Sequence, residues 1–217
     1  MLNLPLDFIV LATGASHDNA VKYKPILGHV CTQFSINDKE RVCAFLSQIG
    51  HESCGMSVLE ENLNYSVTAL SKLFSESRIS PADRNKYGRI DGVQKADQVA
   101  IANLIYGGDW GLRNLGNREP GDGWKFRGKG LKQLTGRDNH KRCGDALGID
   151  LINHPEKLLL PENAAMSAGW FWSVNKLNPI ADMKDIKTLT KRINGGVFGL
   201  DNRQKLFDKA MSYDLVV

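Results

Sequence analysis

Val42, Phe45, Leu46 and Ile49 recur at the spacing of one helix face, and the stripe runs directly into His51-Glu52-Ser53. Asn37 and Glu40, three apart, read as a capping box that opens this helix. At about 100° per residue, Glu52 falls on the edge of the apolar stripe and His51 on the opposite side. The helix is therefore expected to end in a carboxyl group partly withdrawn from water. Burial favours the protonated form of such a group. Gly55 is where this helix is expected to stop.

Helical signals dominate the rest of the chain. A first clear helix is expected near Pro25, with Ile26, Leu27, Val30 and Phe34 on one face. Proline is tolerated at a helix start because its missing N–H would be unpaired there. Ser66 or Thr68 opens another helix through Phe74, and Gln94 to Tyr106 forms one stopped by Gly107-Gly108. Nine glycines between Gly107 and Gly136 predict loop or short hairpin. A short helix over Asn139 to Gly148 and a long apolar one over Pro161 to Leu177 follow. The latter carries Trp170, Phe171 and Trp172, with Trp170 and Trp172 read as core. Asp185 to Ile193 and Asp201 to Tyr213 complete the set. The expected fold class is mainly α with little strand. No repeat, low-complexity tract or linker interrupts the sequence, so residues 1–217 are expected to form a single domain with no separate binding module.

At 217 residues, 42% hydrophobic and 24% charged, the chain has the composition of an ordinary globular protein. Cys31, Cys43, Cys54 and Cys143 show neither metal-ligand spacing nor a disulfide framework, so free thiols are expected. Met1 to Ala15 is partly apolar, but it has no Lys or Arg and Asp7 interrupts it, which makes a poor signal peptide. No apolar run approaches the ~20 residues that span a bilayer. The net charge of +4 is locally concentrated. Seven basic residues (Lys125, Arg127, Lys129, Lys132, Arg137, Lys141 and Arg142) surround one acid, Asp138. This stretch reads either as a basic cleft for an acidic partner or as solvated surface.

A second carboxylate, Glu61, lies in the loop-like Leu59-Glu60-Glu61-Asn62-Leu63-Asn64-Tyr65-Ser66. Two carboxyl groups, one protonated and one ionised, are what glycoside hydrolysis requires. On an unbroken helix, nine residues would separate Glu52 from Glu61 by about 13.5 Å. An inverting enzyme needs roughly 6.5–9.5 Å, so the chain must bend between them. Glu60 competes with Glu61 for the base role, and spacing alone does not choose. Other chemistries lack their residues: there is no second His at the zinc-protease spacing, no Gly-x-Ser-x-Gly elbow and no phosphate-binding glycine motif.

Five segments now stand in order. They are His51-Glu52-Ser53, Glu61-Asn62-Leu63-Asn64-Tyr65-Ser66, Gly121-Asp122-Gly123-Trp124, the run Gly128 to Gly136, and Ile193-Asn194-Gly195-Gly196 followed by Arg203. Together they resemble the family 19 glycoside hydrolases of the plant-chitinase type, and within them the compact branch of phage endolysins. The resemblance implies a lysozyme-like helical fold of two lobes around a central cleft, an inverting mechanism, and no metal or cofactor. It assigns Glu52 as general acid, Glu61 as base, and Thr135 as the hydroxyl that holds the attacking water, with Gln133 beside it. Asn139 and Asn194 match sugar-binding amides, and Arg203 matches the arginine near the acid, where its charge opposes the effect of burial. Tyr65 and Trp124, read as loop aromatics, are candidates for contact with a sugar face. Lys129, Lys132 and His140 depart from the family pattern, and Lys132 replaces a residue that is commonly apolar.

The expected activity is hydrolysis of β-1,4 bonds between N-acetylmuramic acid and N-acetylglucosamine in peptidoglycan, by an endolysin. Chitin hydrolysis is the runner-up, and a non-catalytic aminosugar-binding protein is the alternative of another class. Nucleic acid, stable membrane insertion and partner subunits are not expected. The protein is expected to stay in the host bacterial cytoplasm until a holin or a secretion system delivers it to the wall.

Overall fold

The computed structural model of the protein describes residues 2–215, and within them the regular secondary structure is almost wholly helical. In order, α1 is Leu6–Thr13, α2 His17–Gln33, α3 Lys39–Glu52, α4 Val67–Leu73, α5 Pro81–Tyr87, α6 Gln98–Ile105 and α7 Gly108–Leu115. Then follow α8 Asp122–Lys125, α9 Arg137–Leu147, a 3-10 turn at Pro155–Leu159, α10 Pro161–Val174, α11 Asn178–Asp182, α12 Ile186–Asn194 and α13 Leu200–Ser212. Extended pairing among the described residues is limited to isolated bridges, two of which place Lys129 opposite Glu60 and Leu134. Side-chain caps fix five helix starts: Ser16, Ser66, Ser80, Asp97 and Asp185 each accept from a backbone N–H in the first turn.

The chain forms two compact units. The first comprises residues 2–59, 130–133 and 157–215. Its core centres on α3, whose Val42, Phe45, Leu46 and Ile49 are buried as the stripe predicts. Helices α1, α11 and α13 pack on α3, and α10 packs on α2. Gly50 permits the approach of α1, because a β-carbon there would lie 2.4 Å from the Thr13 carbonyl oxygen. Trp170 and Trp172 are buried, and Trp172 sits edge-on to Phe45. The second unit comprises residues 60–129 and 134–156. It has its own smaller core of Leu63, Leu70, Ile79, Ile101, Ala102 and Ile105.

Several expectations need correction. Pro25 lies inside α2, not at its start; Ser16 caps that helix nine residues earlier. Pro25 is on the exposed face, where the carbonyl it leaves unpaired can meet water. The apolar N-terminal segment is itself a helix, α1. Asn37 and Glu40 form no capping box. Asp38 is the cap residue of α3 and makes no side-chain cap bond, Asn37 accepts from Arg41, and Glu40 pairs with Lys184 at 3.3 Å. Gln94 does not open α6. Its side-chain amide ties down the preceding turn through the carbonyls of Asn85, Lys86 and Gly88, and α6 begins four residues later under Asp97. The glycine-rich stretch is not all loop, since it contains α7 and α8. Gly111 is there for packing, because a β-carbon on it would meet the Tyr106 carbonyl oxygen at 2.0 Å.

Candidate functional site

In the first unit, Glu52 is the last residue of α3 and its side chain is 13% exposed. Helix α3 ends because Ser53 N–H still reaches the Ile49 carbonyl while Gly55, at φ +66°, turns its N–H back to Gly50. This left-handed return closes the carbonyls of the last turn. From α13, the guanidinium of Arg203 donates to Glu52 Oε1 at 2.5 Å and to Gln48 Oε1 at 2.6 Å. Gln48 and Glu52 are four apart on α3, so one buried arginine clamps both along a single helix face. The ε-nitrogen of Arg203 donates to the Phe198 carbonyl at 3.4 Å.

Lys132 belongs to the same cluster. Its ammonium lies 4.6 Å from the centre of the Phe171 ring. Burial lowers its proton affinity, Glu52 restores part of it, and Arg203 opposes again. Among the described residues no acceptor lies within hydrogen-bond distance of the Lys132 ammonium. Lys132, which departs from the family pattern, thus places its amino group over an aromatic face. Asn194 ends α12, just before Gly195 at φ +78°. Its amide spans the next turn, donating to the Phe198 carbonyl at 3.1 Å and accepting from Gly196 N–H at 2.9 Å. Gln133 adopts φ +56° and donates to the Gly130 carbonyl at 3.0 Å.

In the second unit, Glu61 stands in an irregular segment held by backbone and side-chain donors. Glu61 N–H donates to the Gly128 carbonyl at 2.9 Å. In return, Gly128 N–H donates to Glu61 Oε2 at 3.2 Å, and the Tyr106 hydroxyl donates to Oε1 at 2.6 Å. Burial pushes the Tyr106 phenol well above its ordinary value, and the Glu61 charge adds to that. Tyr106 therefore stays a donor. Glu60, the competitor, is engaged elsewhere: it pairs with Arg127 at 2.6 Å and lies 3.6 Å from the Lys129 ammonium. Burial, then repulsion from Arg127, pushes Lys129 down to about 8, against the pull of Glu60.

Thr135 lies just before α9, and the Asn139 amide nitrogen donates to its carbonyl at 2.9 Å. Tyr65 is half-buried edge-on against Phe74. Trp124 sits in α8 rather than in a loop, with the Arg127 guanidinium 3.5 Å over its ring. Within the second unit the predicted basic stretch is largely neutralised or buried: Arg127 pairs with Glu60, Arg137 with Asp122 and Lys141 with Asp145, and Lys129 is buried. Gly136 serves packing within the protein. A β-carbon on Gly136, at φ +96°, would meet Leu115 at 2.8 Å.

Sequence reading missed two residues of these clusters. Gln48 carried a usable signal, being a polar residue one helical turn before Glu52 and next to the apolar stripe. Tyr106 carried none, because it is 45 residues from the carboxylate it holds.

Over 178 residues the chain is 37% identical to a glycosyl hydrolase family 19 domain-containing protein of Haemophilus influenzae, covering 82% of each. The chain belongs to glycosyl hydrolase family 19. Endochitinase 1 of Theobroma cacao is a more local relative, 43% identical over 51 residues, which are 23% of this chain and 16% of that one. Among solved structures, chitinase C from Streptomyces griseus shares the family 19 fold with a TM-score of 0.56 at 17% identity, over 97% of this chain and 77% of that one. A bacterial family 19 chitinase superposes with a TM-score of 0.55 at 17% identity, over 96% and 95%. No protein-family model matches the chain. Among the described residues of this family 19 protein, no helix is long and apolar enough to cross a membrane.

Proposed function

We propose that this family 19 glycoside hydrolase cleaves β-1,4 bonds between N-acetylmuramic acid and N-acetylglucosamine in peptidoglycan, with inversion, as one catalytic domain. The observation that carries the reading is the clamp on Glu52: Arg203 occupies Oε1, while among the described residues no donor meets Oε2. In this reading Glu52 gives its proton to the glycosidic oxygen. Glu61 takes a proton from water as that water attacks the anomeric carbon, and the bond to the leaving sugar breaks. Tyr106 and Gly128 hold Glu61 in place. Thr135 and Gln133 orient the water, and Asn139 fixes the backbone of Thr135. Asn194 shapes the turn beside Arg203, and Tyr65 and Trp124 line the sugar path.

Two observations favour peptidoglycan over chitin. Lys132, close enough to Glu52 and Arg203 for their charges to act on it, would offer a donor to a strand bearing carboxylates, which peptidoglycan stems supply and chitin does not. The four cysteines are all free thiols, unlike the bridged framework of a secreted enzyme. This supports a lysin held in the bacterial cytoplasm until a holin or a secretion system releases it. The endochitinase and chitinase relatives make chitin the competing substrate.

The test is release of reducing ends from purified Gram-negative peptidoglycan and, separately, from colloidal chitin, with Glu52→Gln as control. Release from peptidoglycan, lost in Glu52→Gln without loss of folding, is the expected result. Release from chitin alone would overturn the substrate assignment, and full activity of Glu52→Gln would overturn the catalytic one.

A further inference from the structure

The backbone of Phe198 is tied into the Glu52 cluster, whereas its side chain is left in water. Its carbonyl accepts from both Asn194 and Arg203, while the residue is 81% exposed. Beside it Val197 is 49% exposed. The turn is bounded by Gly195 and Gly199, both in the left-handed region. It presses on α3, because a β-carbon on Gly199 would lie 2.1 Å from the ring of His51, the neighbour of Glu52. The Phe198 ring meets His51 at 6.3 Å with an interplanar angle of 65°, so an edge is braced.

Among the described Phe and Trp residues, the only other strongly exposed one is Trp110, and the Arg78 guanidinium covers its ring at 3.3 Å. No cation covers Phe198. An apolar ring held out by a hydrogen-bonded turn is matched by a flat ligand with an apolar face. The C–H face of a pyranose is such a surface, and its hydroxyls would stay in water while the ring stacks. The hydrogen bonds from Arg203 to both Glu52 and the Phe198 carbonyl make this position continuous with the acid, which argues for a sugar of the same glycan.

We propose that Phe198, with Val197 beside it, is a stacking platform for a sugar ring of the glycan adjacent to the Glu52 cluster. The inference rests on the glycan-hydrolase reading above. It assigns to Phe198 a share of substrate affinity and no part in proton transfer.

Binding is measured by calorimetry with a hexamer of N-acetylglucosamine and with soluble peptidoglycan fragments. The proteins are Glu52→Gln alone and Glu52→Gln carrying Phe198→Ala or Phe198→Trp. The expected result is roughly tenfold weaker binding for Phe198→Ala and recovery for Phe198→Trp. In the catalytically intact protein, Phe198→Ala should raise KM with little change in kcat. Unchanged binding in Phe198→Ala, or a Trp variant as weak as Ala, would overturn the platform and leave the hydrolase reading standing. A concentration-dependent dimer that Phe198→Ala abolishes, with glycan affinity intact, would overturn it in favour of self-association. Binding of neither glycan by the parent would overturn both, and reducing-end release by the wild type separates that case.

Discussion

His140 makes the second unit sensitive to acid. Its side chain is fully buried in α9, with its ring 5.1 Å from Phe126 and Nδ1 at 2.8 Å from the Gly136 carbonyl oxygen. That contact fixes the proton on Nδ1, and among the described residues nothing meets Nε2. A second proton would create a buried, unpaired N–H on a cation, with Lys129 adding repulsion. Burial therefore pushes His140 from 6.5 down to about 4, although the Gly136 carbonyl pulls the other way. Above pH 6.5 both folded and unfolded chains hold it neutral, and it costs nothing. As the pH falls below 6.5 the unfolded chain takes up a proton that the folded chain refuses, so stability drops until about pH 4. From 6.5 to about 4, at about 1.4 kcal/mol per pH unit, the loss comes to about 3 kcal/mol. Urea unfolding followed by tryptophan fluorescence at several pH values between 7.5 and 4 measures it. Other groups also respond to pH, so the comparison is with His140→Phe. That variant loses the Gly136 bond, worth about 1 kcal/mol at every pH. Wild type should be the more stable at pH 7.5 and the less stable near pH 4. A wild-type-minus-variant difference that stays constant with pH would refute the argument.

Tyr106→Phe removes the hydroxyl that donates to Glu61 Oε1. A hydrogen bond to a charged group contributes about 1.5–3 kcal/mol, so kcat on peptidoglycan should fall at least about tenfold while the fold survives; unchanged kcat would remove Tyr106 from the site. Gly50→Ala places a β-carbon 2.4 Å from the Thr13 carbonyl oxygen. It should cost about 1–3 kcal/mol, read as a lowered midpoint in thermal or urea unfolding, with α1 and α3 forced apart.

Much of this molecule was legible because helical periodicity is a local property. The α3 stripe, the starts of α4 at Ser66 and of α12 at Asp185, and the glycine closing α9 need only neighbours a few residues away. The errors arose where a local signal had a non-local cause. Gln94 resembled a helix residue but serves a turn, and Gly111 resembled a loop residue but yields to the Tyr106 carbonyl. Pro25 resembled a start because proline chemistry is the same at a helix start and on a wet helix face.

The two carboxylates divide in the same way. Sequence determined that Glu52 would close an amphipathic helix and that Glu61 would stand in irregular chain, since both follow from spacing and turn chemistry. Which partners grip them was decided only by tertiary structure. Arg203 reaches Glu52 across 151 residues of chain, and Tyr106 reaches Glu61 across 45. Arg127 and Lys129 draw the Glu60 carboxylate to themselves, whereas Tyr106 and Gly128 hold that of Glu61. Hydrogen bonds are short-ranged in space and indifferent to separation along the chain, so no local pattern could have announced them.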